Sequence, residues 1–236
     1  MPTPAKLAAL QKRLGHTFRS TALLLEALTH ASYLQEHAEA GAHQQRLEFL
    51  GDSVLHFLLT DALFQEFTGE REGALSRHRA ALVKGECLSR LARDLGLDAY
   101  LRLSPSEDKA GGRSRASILE DTFEAIVGAL YLDSDLTTTR RIVLGWYGPL
   151  PARLSLTADS ENPKGRLQEL VQPLHGNAAL RYEVLSTEGP RHAREYLVAV
   201  FINKQQLGTG RGTAKKHAEE EAARVALAAL RASGHV

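Results

Sequence analysis

Cysteine is almost missing: Cys87 stands alone in 236 residues. That excludes an intrachain disulfide and any Cys-rich zinc module, and it suits the cytoplasm, the expected compartment. No apolar run approaches the length of about 18 residues that a membrane span needs, so no membrane association is expected. The first residues lead into an ordinary amphipathic stretch without the apolar block of a signal peptide. There is no G-x-S-x-G elbow, no H-E-x-x-H pair and no Walker-type loop around Gly111-Gly112. Side-chain nucleophiles, zincin chemistry and P-loop nucleotide binding thus have no sequence support. The ten histidines are scattered without ligand spacing and read as structural or surface residues.

The length allows one large domain or two small ones. A net charge of +1 conceals an asymmetry. Residues 1–161 carry 18 Lys and Arg against 21 Asp and Glu, a balance of −3; residues 162–236 carry 11 against 7, a balance of +4. An acidic part joined to a basic one suggests two jobs, with polyanion binding a candidate for the second.

Hydrophobic spacing divides the chain the same way. Helical periodicity covers Ala5–Leu14, Ala22–Leu28, a long segment from about His43 to Phe67, then Arg77–Leu95, Ser117–Leu132 and Thr137–Trp146. Ser117 and Glu120 have the capping-box spacing and predict a helix start there, after a loop over Leu103–Ala116. Pro149-Leu-Pro151 and the polar run from Thr157 to Pro163 read as a terminus and linker. Beyond it, Lys164–Val171 reads as helix. Tyr182 and Val184, then Tyr196, Val198, Val200 and Ile202, alternate as strands do around a Gly189-Pro190 turn. Gln205–Gly208 is a candidate third strand. Thr213–Arg231 is a long helix with Ala214, Ala218, Ala222, Val225 and Ala229 on one face. The expected fold is two domains: an all-α domain over 1–155, then a small α+β domain of α-β-β-β-α order over 162–234.

The chemistry concentrates in carboxylates. Glu48 and Asp52 lie four apart on the long helix and share a face. Two such charges repel unless solvated or bridged by a cation. Gly51 between them costs about 1 kcal/mol relative to Ala within a helix, which hints at close approach of another backbone. A second pair lies in Ser117-Ile-Leu-Glu-Asp-Thr-Phe-Glu124: Asp121 with Glu124, or Glu120 with Glu124, and periodicity does not choose between them. Two helices each offering a pair could form an all-oxygen site suited to Mg²⁺ or Mn²⁺.

Arg46-Leu-Glu-Phe-Leu-Gly-Asp-Ser-Val-Leu55 closely resembles the signature of the bacterial ribonuclease III family. Ala27-Leu-Thr-His-Ala-Ser-Tyr33 and Ser117-Ile-Leu-Glu-Asp-Thr-Phe-Glu-Ala125 resemble two further family blocks, and the C-terminal part resembles the double-stranded RNA-binding domain that follows the nuclease domain there. Carried over position by position, the resemblance makes Glu48, Asp52, Asp121 and Glu124 the metal-binding carboxylates, passing over Glu120. Asp52 and Glu124 take the positions most closely tied to catalysis. Glu72 matches an acidic position of the cleft, and Phe49 an aromatic that packs into the partner of a homodimer. Gln45 departs from the family, which usually has glutamate there. It lies on the same face as Glu48 and Asp52 and brings no charge.

Lys215 and Lys216 precede Glu219 and Glu220 at the start of the last helix, where free amides favour phosphate and Thr213 is the expected N-cap. By resemblance these lysines contact phosphates across a major groove. Arg166, Gln168 and Glu169 of the first helix meet one minor groove, and the loop of Gly189-Pro-Arg-His192 enters the next, a spacing that reads A-form shape. Leu197 and Phe201 fall on the sheet face away from the helices. The implied activity is a homodimeric endoribonuclease that uses Mg²⁺, or Mn²⁺ in its place, to activate water against the phosphodiester bonds of double-stranded RNA. Its substrates would be structured precursors, ribosomal RNA among them, and its products would carry 5′-phosphate ends. The alternative is a catalytically impaired RNA-binding protein, with Gln45 the mark of a decaying site.

Overall fold

The computed structural model describes residues 3–176, 180–189, 194–203 and 205–232. The chain divides into two compact units between Leu154 and Ser155.

The first unit is helical: α1 (Pro4–Leu14), α2 (Thr21–Ala27), α3 (Gln45–Glu66), α4 (Glu72–Val83), α5 (Gly85–Asp94), α6 (Pro105–Lys109), α7 (Ala116–Asp133) and α8 (Leu136–Tyr147), with α9 (Leu150–Glu161) crossing the division. Its only described pairing of extended backbone is a bridge between Thr29 and Arg102. The central element is α7. Ile118, Leu119, Phe123, Ala125, Ile126, Val127, Ala129 and Leu130 are all buried, so apolar side chains surround the helix on most sides, as expected of a helix in the middle of a core. Its C-terminal end is tied down by Asp133, which accepts the Arg19 and Ser20 amides at 2.9 and 2.8 Å and lies 2.9 Å from His16 Nε2. Burial pushes that carboxyl up, but the two amides and the imidazole outweigh it and hold it below the usual carboxylate range.

Four local expectations need correction. The period over 77–95 continues across a break, because Lys84 is extended (ψ 139°) and separates α4 from α5. The capping box does not form: α7 starts at Ala116 with Arg115 as an extended cap that makes no side-chain cap bond, which puts Ser117 inside the helix. The stretch read as a linker is helix over most of its length. Leu150 is buried and Leu154 packs against the first core, while Pro151 falls in the first turn, where a missing amide costs nothing. Within the expected loop of 103–116 a short helix forms, α6, capped by Ser104 accepting the Glu107 amide.

In the second unit α10 (Pro163–His175) is followed by β1 (Leu180–Glu188), β2 (Glu195–Ile202), β3 (Gln205–Gly212) and α11 (Lys215–Ala232). This is the expected α-β-β-β-α order. The strands form one antiparallel sheet in the order β1-β2-β3, with Val184 opposite Val198 and Val200 opposite Gly208. Asn162 caps α10 by accepting the Gly165 amide, and Leu167 and Val171 pack with Val200, Ile202, Ala222, Ala226 and Leu227. A Cβ on Gly210 would stand 2.2 Å from the Ala222 amide nitrogen, and one on Gly208 would stand 2.6 Å from the Ala222 carbonyl oxygen. Alternate glycines thus strip one face of β3 so that α11 lies directly on it. The contact turns α11 away from the expected stripe: Ala218, Ala222, Ala223, Ala226 and Leu227 are buried, whereas Val225 and Ala229 are exposed.

Candidate active site and nucleic-acid interface

Glu48 and Asp52 reach the site from α3, and Asp121 and Glu124 from α7. What brings them together is a pair of glycines. A Cβ on Gly51 would sit 1.8 Å from the Glu124 carbonyl oxygen, and one on Gly128 would sit 2.2 Å from the Leu47 carbonyl oxygen. Only side-chain-free backbone lets these helices meet, and the meeting point lies level with the carboxylates.

The electrostatics report the crowding. Burial raises the Glu124 carboxyl from 4.5 to about 8, with Asp52, Glu120, Glu48 and Asp121 adding repulsion in that order. Glu48 is also raised, first by burial and then by Asp121, Asp52 and Glu120. Burial raises Asp121, against the pull of His30. Glu120 is raised by burial and then by Asp121, so it belongs to the same field. Its carboxylate nevertheless lies against Gly85 at the start of α5, where a Cβ would be 2.2 Å from Glu120 Oε2. Among the described residues no three His, Cys, Asp or Glu side chains converge into a ready-made cage. Like charges on facing helices stand apart, and Mg²⁺ in particular binds through few carboxylates and keeps several waters. The donor set, all oxygen and all acidic, fits a hard divalent cation.

Other expected residues lie elsewhere. Gln45 is exposed and lines a hollow of about 650 Å³ with Leu23, Glu26, Phe49, Leu50 and Leu132. Its neighbour Gln44 is the buried amide, with its backbone N–H donating to Thr29 O and its Oε1 3.1 Å from Thr122 Oγ1 on α7. Glu72 accepts from the Ser76 hydroxyl at 2.7 Å in a separate hollow beside Phe64 and Arg79, and is not among the charges acting on Glu48, Asp121 or Glu124. Phe49 is 79% exposed. Two histidines read as bystanders are not: His56 Nε2 lies 3.4 Å from Asp52 Oδ1, and His30 faces Asp121. His56 was findable, since it stands one turn beyond Asp52. His30 comes from a distant segment.

In the second unit Lys215 and Lys216 open α11, with Lys216 80% exposed. The first helical bond runs from the Ala218 amide to Ala214 O, which places Ala214 rather than Thr213 at the cap. Glu219 lies 3.9 Å from Lys215 and also accepts from Lys164 of α10. Arg166 pairs with Glu169 at 3.2 Å on α10, and Gln168 is exposed beside them. His192 lies outside the described residues. Leu197 and Phe201 are half-buried, with the Arg181 guanidinium over the Phe201 ring.

Residues 20–149 match the ribonuclease-III-like family, and residues 163–230 match the double-stranded RNA binding motif. The chain belongs to the ribonuclease III family. Ribonuclease 3 of Pseudomonas putida (strain GB-1) is 45% identical over 229 residues, 96% of each chain. Ribonuclease 3 of Hahella chejuensis is 44% identical over 227 residues, 96% of this chain and 97% of that one. The crystal structure of the nuclease domain of ribonuclease III from Campylobacter jejuni superimposes with a TM-score of 0.55 at 36% identity, covering 59% of this chain and 92% of that one. As a ribonuclease III the chain is an endoribonuclease carrying a double-stranded RNA-binding domain, with the carboxylate cluster in its nuclease unit and the two lysines in the other. No described helix is long and apolar enough to cross a membrane.

Proposed function

We propose that Glu48, Asp52, Asp121 and Glu124 hold divalent ions, Mg²⁺ with Mn²⁺ able to substitute, and that double-stranded RNA is hydrolysed there to 5′-phosphate and 3′-hydroxyl ends with short 3′ overhangs. The observation that carries this is the glycine-locked meeting of α3 and α7, which groups the acids where burial first, and their mutual repulsion second, pushes Glu124 up to about 8. Such an arrangement is costly unless positive charge enters it. A bound ion would supply a water of lowered pKa and would neutralise charge on the leaving oxygen. The chain supplies the rest. Asp52 and Glu124 would hold the ion nearest the reacting phosphate, Glu48 and Asp121 would complete the oxygen set, and His56, 3.4 Å from Asp52, would orient that carboxylate. All four acidic positions are present, so Gln45 alone gives no ground for a binder without cleavage. The purified full chain should cut long double-stranded RNA to short fragments in Mg²⁺ and leave it intact in EDTA. Intact RNA in both Mg²⁺ and Mn²⁺ would overturn the reading.

In the RNA-binding unit, Lys215 and Lys216 are read as phosphate contacts, flanked by Arg166, Gln168, Glu169 and His192 along the duplex. Replacing both lysines with alanine should flatten the plot of log affinity against log salt by roughly one to two units, because each phosphate contact releases about one counterion. An unchanged slope would remove them from the contact set.

The same reading makes the protein a homodimer. Phe49 projects beside a hollow lined by Leu23, Leu50 and Leu132, so a second copy could seat its own Phe49 there and receive this one in return. Phe49→Ala should weaken the dimer by about 3 kcal/mol, a hundredfold or more in dissociation constant by sedimentation. The compartment proposed is the cytoplasm, where ribosomal and other structured precursors would be the substrates.

A further inference from the structure

The nuclease unit has a third hollow, apart from those beside Gln45 and Glu72, and its charge is opposite to that of the carboxylate cluster. It measures about 310 Å³ and is lined by Lys6, Tyr33, Tyr100, Arg102 and Arg113, with Ala99, Leu101 and Leu103 between them. Among the described residues no Asp or Glu lines it. Arg113 is already engaged, donating to both Asp108 oxygens and to the carbonyls of Asp98 and Leu101. Lys6 is exposed on the first turn of α1.

Arg102 is the unusual member. The residue is only 7% exposed, and no carboxylate pairs with it among the described residues. Its guanidinium carbon lies over the Tyr33 ring, 4.3 Å from the centroid, and Nη1 donates to Thr29 Oγ1 at 3.0 Å. Its Nε is buried and has no hydrogen-bond partner. A guanidinium carries five N–H donors and stays charged; here the Tyr33 ring and the one bond to Thr29 offset part of its burial, but no anion balances the charge and Nε has no acceptor. The backbone fixes it in place: the Arg102 amide donates to Leu28 O, and Arg102 O accepts from the His30 amide.

We infer that this hollow is a binding site for a phosphate group. A tetrahedral oxyanion in the hollow supplies the negative charge that Arg102 lacks and acceptors for guanidinium N–H groups, while Lys6 adds a second cation to the lining. The Tyr33 ring is already covered by Arg102 and stacked on His37, so a base or sugar attached to that phosphate would lie against Tyr100, Leu101 and Leu103. The phosphate could come from a free mononucleotide or from the backbone of bound RNA, and both share this recognition chemistry. The site is independent of the carboxylate assignment, because none of those four residues lines it.

The phosphate titrations use the full chain carrying Lys215→Ala and Lys216→Ala, which removes two competing phosphate contacts, in Mg²⁺-free buffer at constant ionic strength, and the RNA salt slopes use the chain with both lysines intact. Inorganic phosphate titrated by calorimetry should bind saturably at one site. Arg102→Lys should weaken it about tenfold, because the fork is lost and only the charge is kept. Lys6→Ala on the exposed turn should weaken it roughly threefold, and this variant carries the test if Arg102→Lys does not fold. Adenosine 5′-monophosphate binding more tightly than phosphate, with the salt slope for RNA unmoved by Lys6→Ala, would identify a mononucleotide site. A slope lowered by about one unit would identify an RNA backbone contact. Phosphate binding that fails to saturate, or that is equal in parent and variants, would overturn the proposal.

Discussion

Replacing Glu124 with glutamine is expected to slow cleavage of double-stranded RNA by about a thousandfold or more while changing RNA affinity less than about twofold. Glutamine keeps the length and the hydrogen-bonding oxygen of the side chain but removes its charge. In a cluster whose proposed task is to hold a divalent cation, that charge is what matters. Affinity should survive if, as proposed, phosphate contacts in the other unit supply most of it. Single-turnover cleavage in Mg²⁺, with binding measured in its absence, separates the two quantities. Normal turnover by Glu124→Gln would remove Glu124 from the site.

The same substitution has a signature that needs no RNA. Glu124 titrates at about 8 in the metal-free fold against 4.5 for the free side chain. Between those values the folded chain holds a proton that the unfolded chain has released, so stability falls as pH rises through that window. Glu48, Glu120 and Asp121 are raised as well and act in the same direction. In EDTA the parent should therefore lose thermal stability from pH 5 to pH 8, and Glu124→Gln should lose less. Mg²⁺ should restore the parent most at the alkaline end, where the ionised cluster repels itself most strongly. Parallel melting curves for the two proteins across this range would show that Glu124 is not crowded by its neighbours.

Much of this site was legible because helical geometry is local. Glu48 and Asp52 share a face by spacing alone, and the energetic cost of Gly51 pointed to a close backbone contact, which is Glu124 O. The other half of that contact was hidden, because Gly128 sits in Ala125-Ile-Val-Gly-Ala, where small residues are unremarkable in a buried helix. Glu120 and Asp121 could not be ranked by period, since both lie one turn from Glu124. In the structure Glu120 lies against Gly85 but still acts on Glu48 and Glu124, so the preference for Asp121 stays a proposal carried by the resemblance. The break at Lys84 left no trace because helical spacing resumes directly after it. The face of α11 was misread because alanines specify orientation weakly, and the glycines of β3 decide which of them approach the sheet. The buried state of Arg102 depends on Tyr33 and Thr29, some seventy residues away in sequence, and no spacing rule reaches that far.

Gly51→Ala should unfold the nuclease unit more readily than any other single methyl added to a helix glycine. On an exposed helix the change would stabilise by about 1 kcal/mol. Here the new methyl would stand 1.8 Å from the Glu124 carbonyl oxygen, 2.7 Å from its carbon and 2.9 Å from the Gly128 nitrogen. All three are backbone atoms, so no side-chain rotamer relieves the overlap and the helices must separate. A net loss of about 3 kcal/mol or more is expected, at the upper end for overpacking. Gly128→Ala should behave alike, since its methyl would meet Leu47 O at 2.2 Å. Separation also moves Glu48 and Asp52 away from Asp121 and Glu124, so whatever fraction folds should cleave at least about a hundredfold more slowly, as misplacement of about 1 Å does in positioned catalysis. Gly145 of α8 is the control, because a Cβ there meets nothing within 4 Å. Gly145→Ala should stabilise by a few tenths of a kcal/mol to about 1 kcal/mol and leave cleavage unchanged. Urea denaturation of the three variants gives the comparison. If Gly51→Ala is as stable and active as Gly145→Ala, close approach of α3 and α7 is not what aligns the carboxylates.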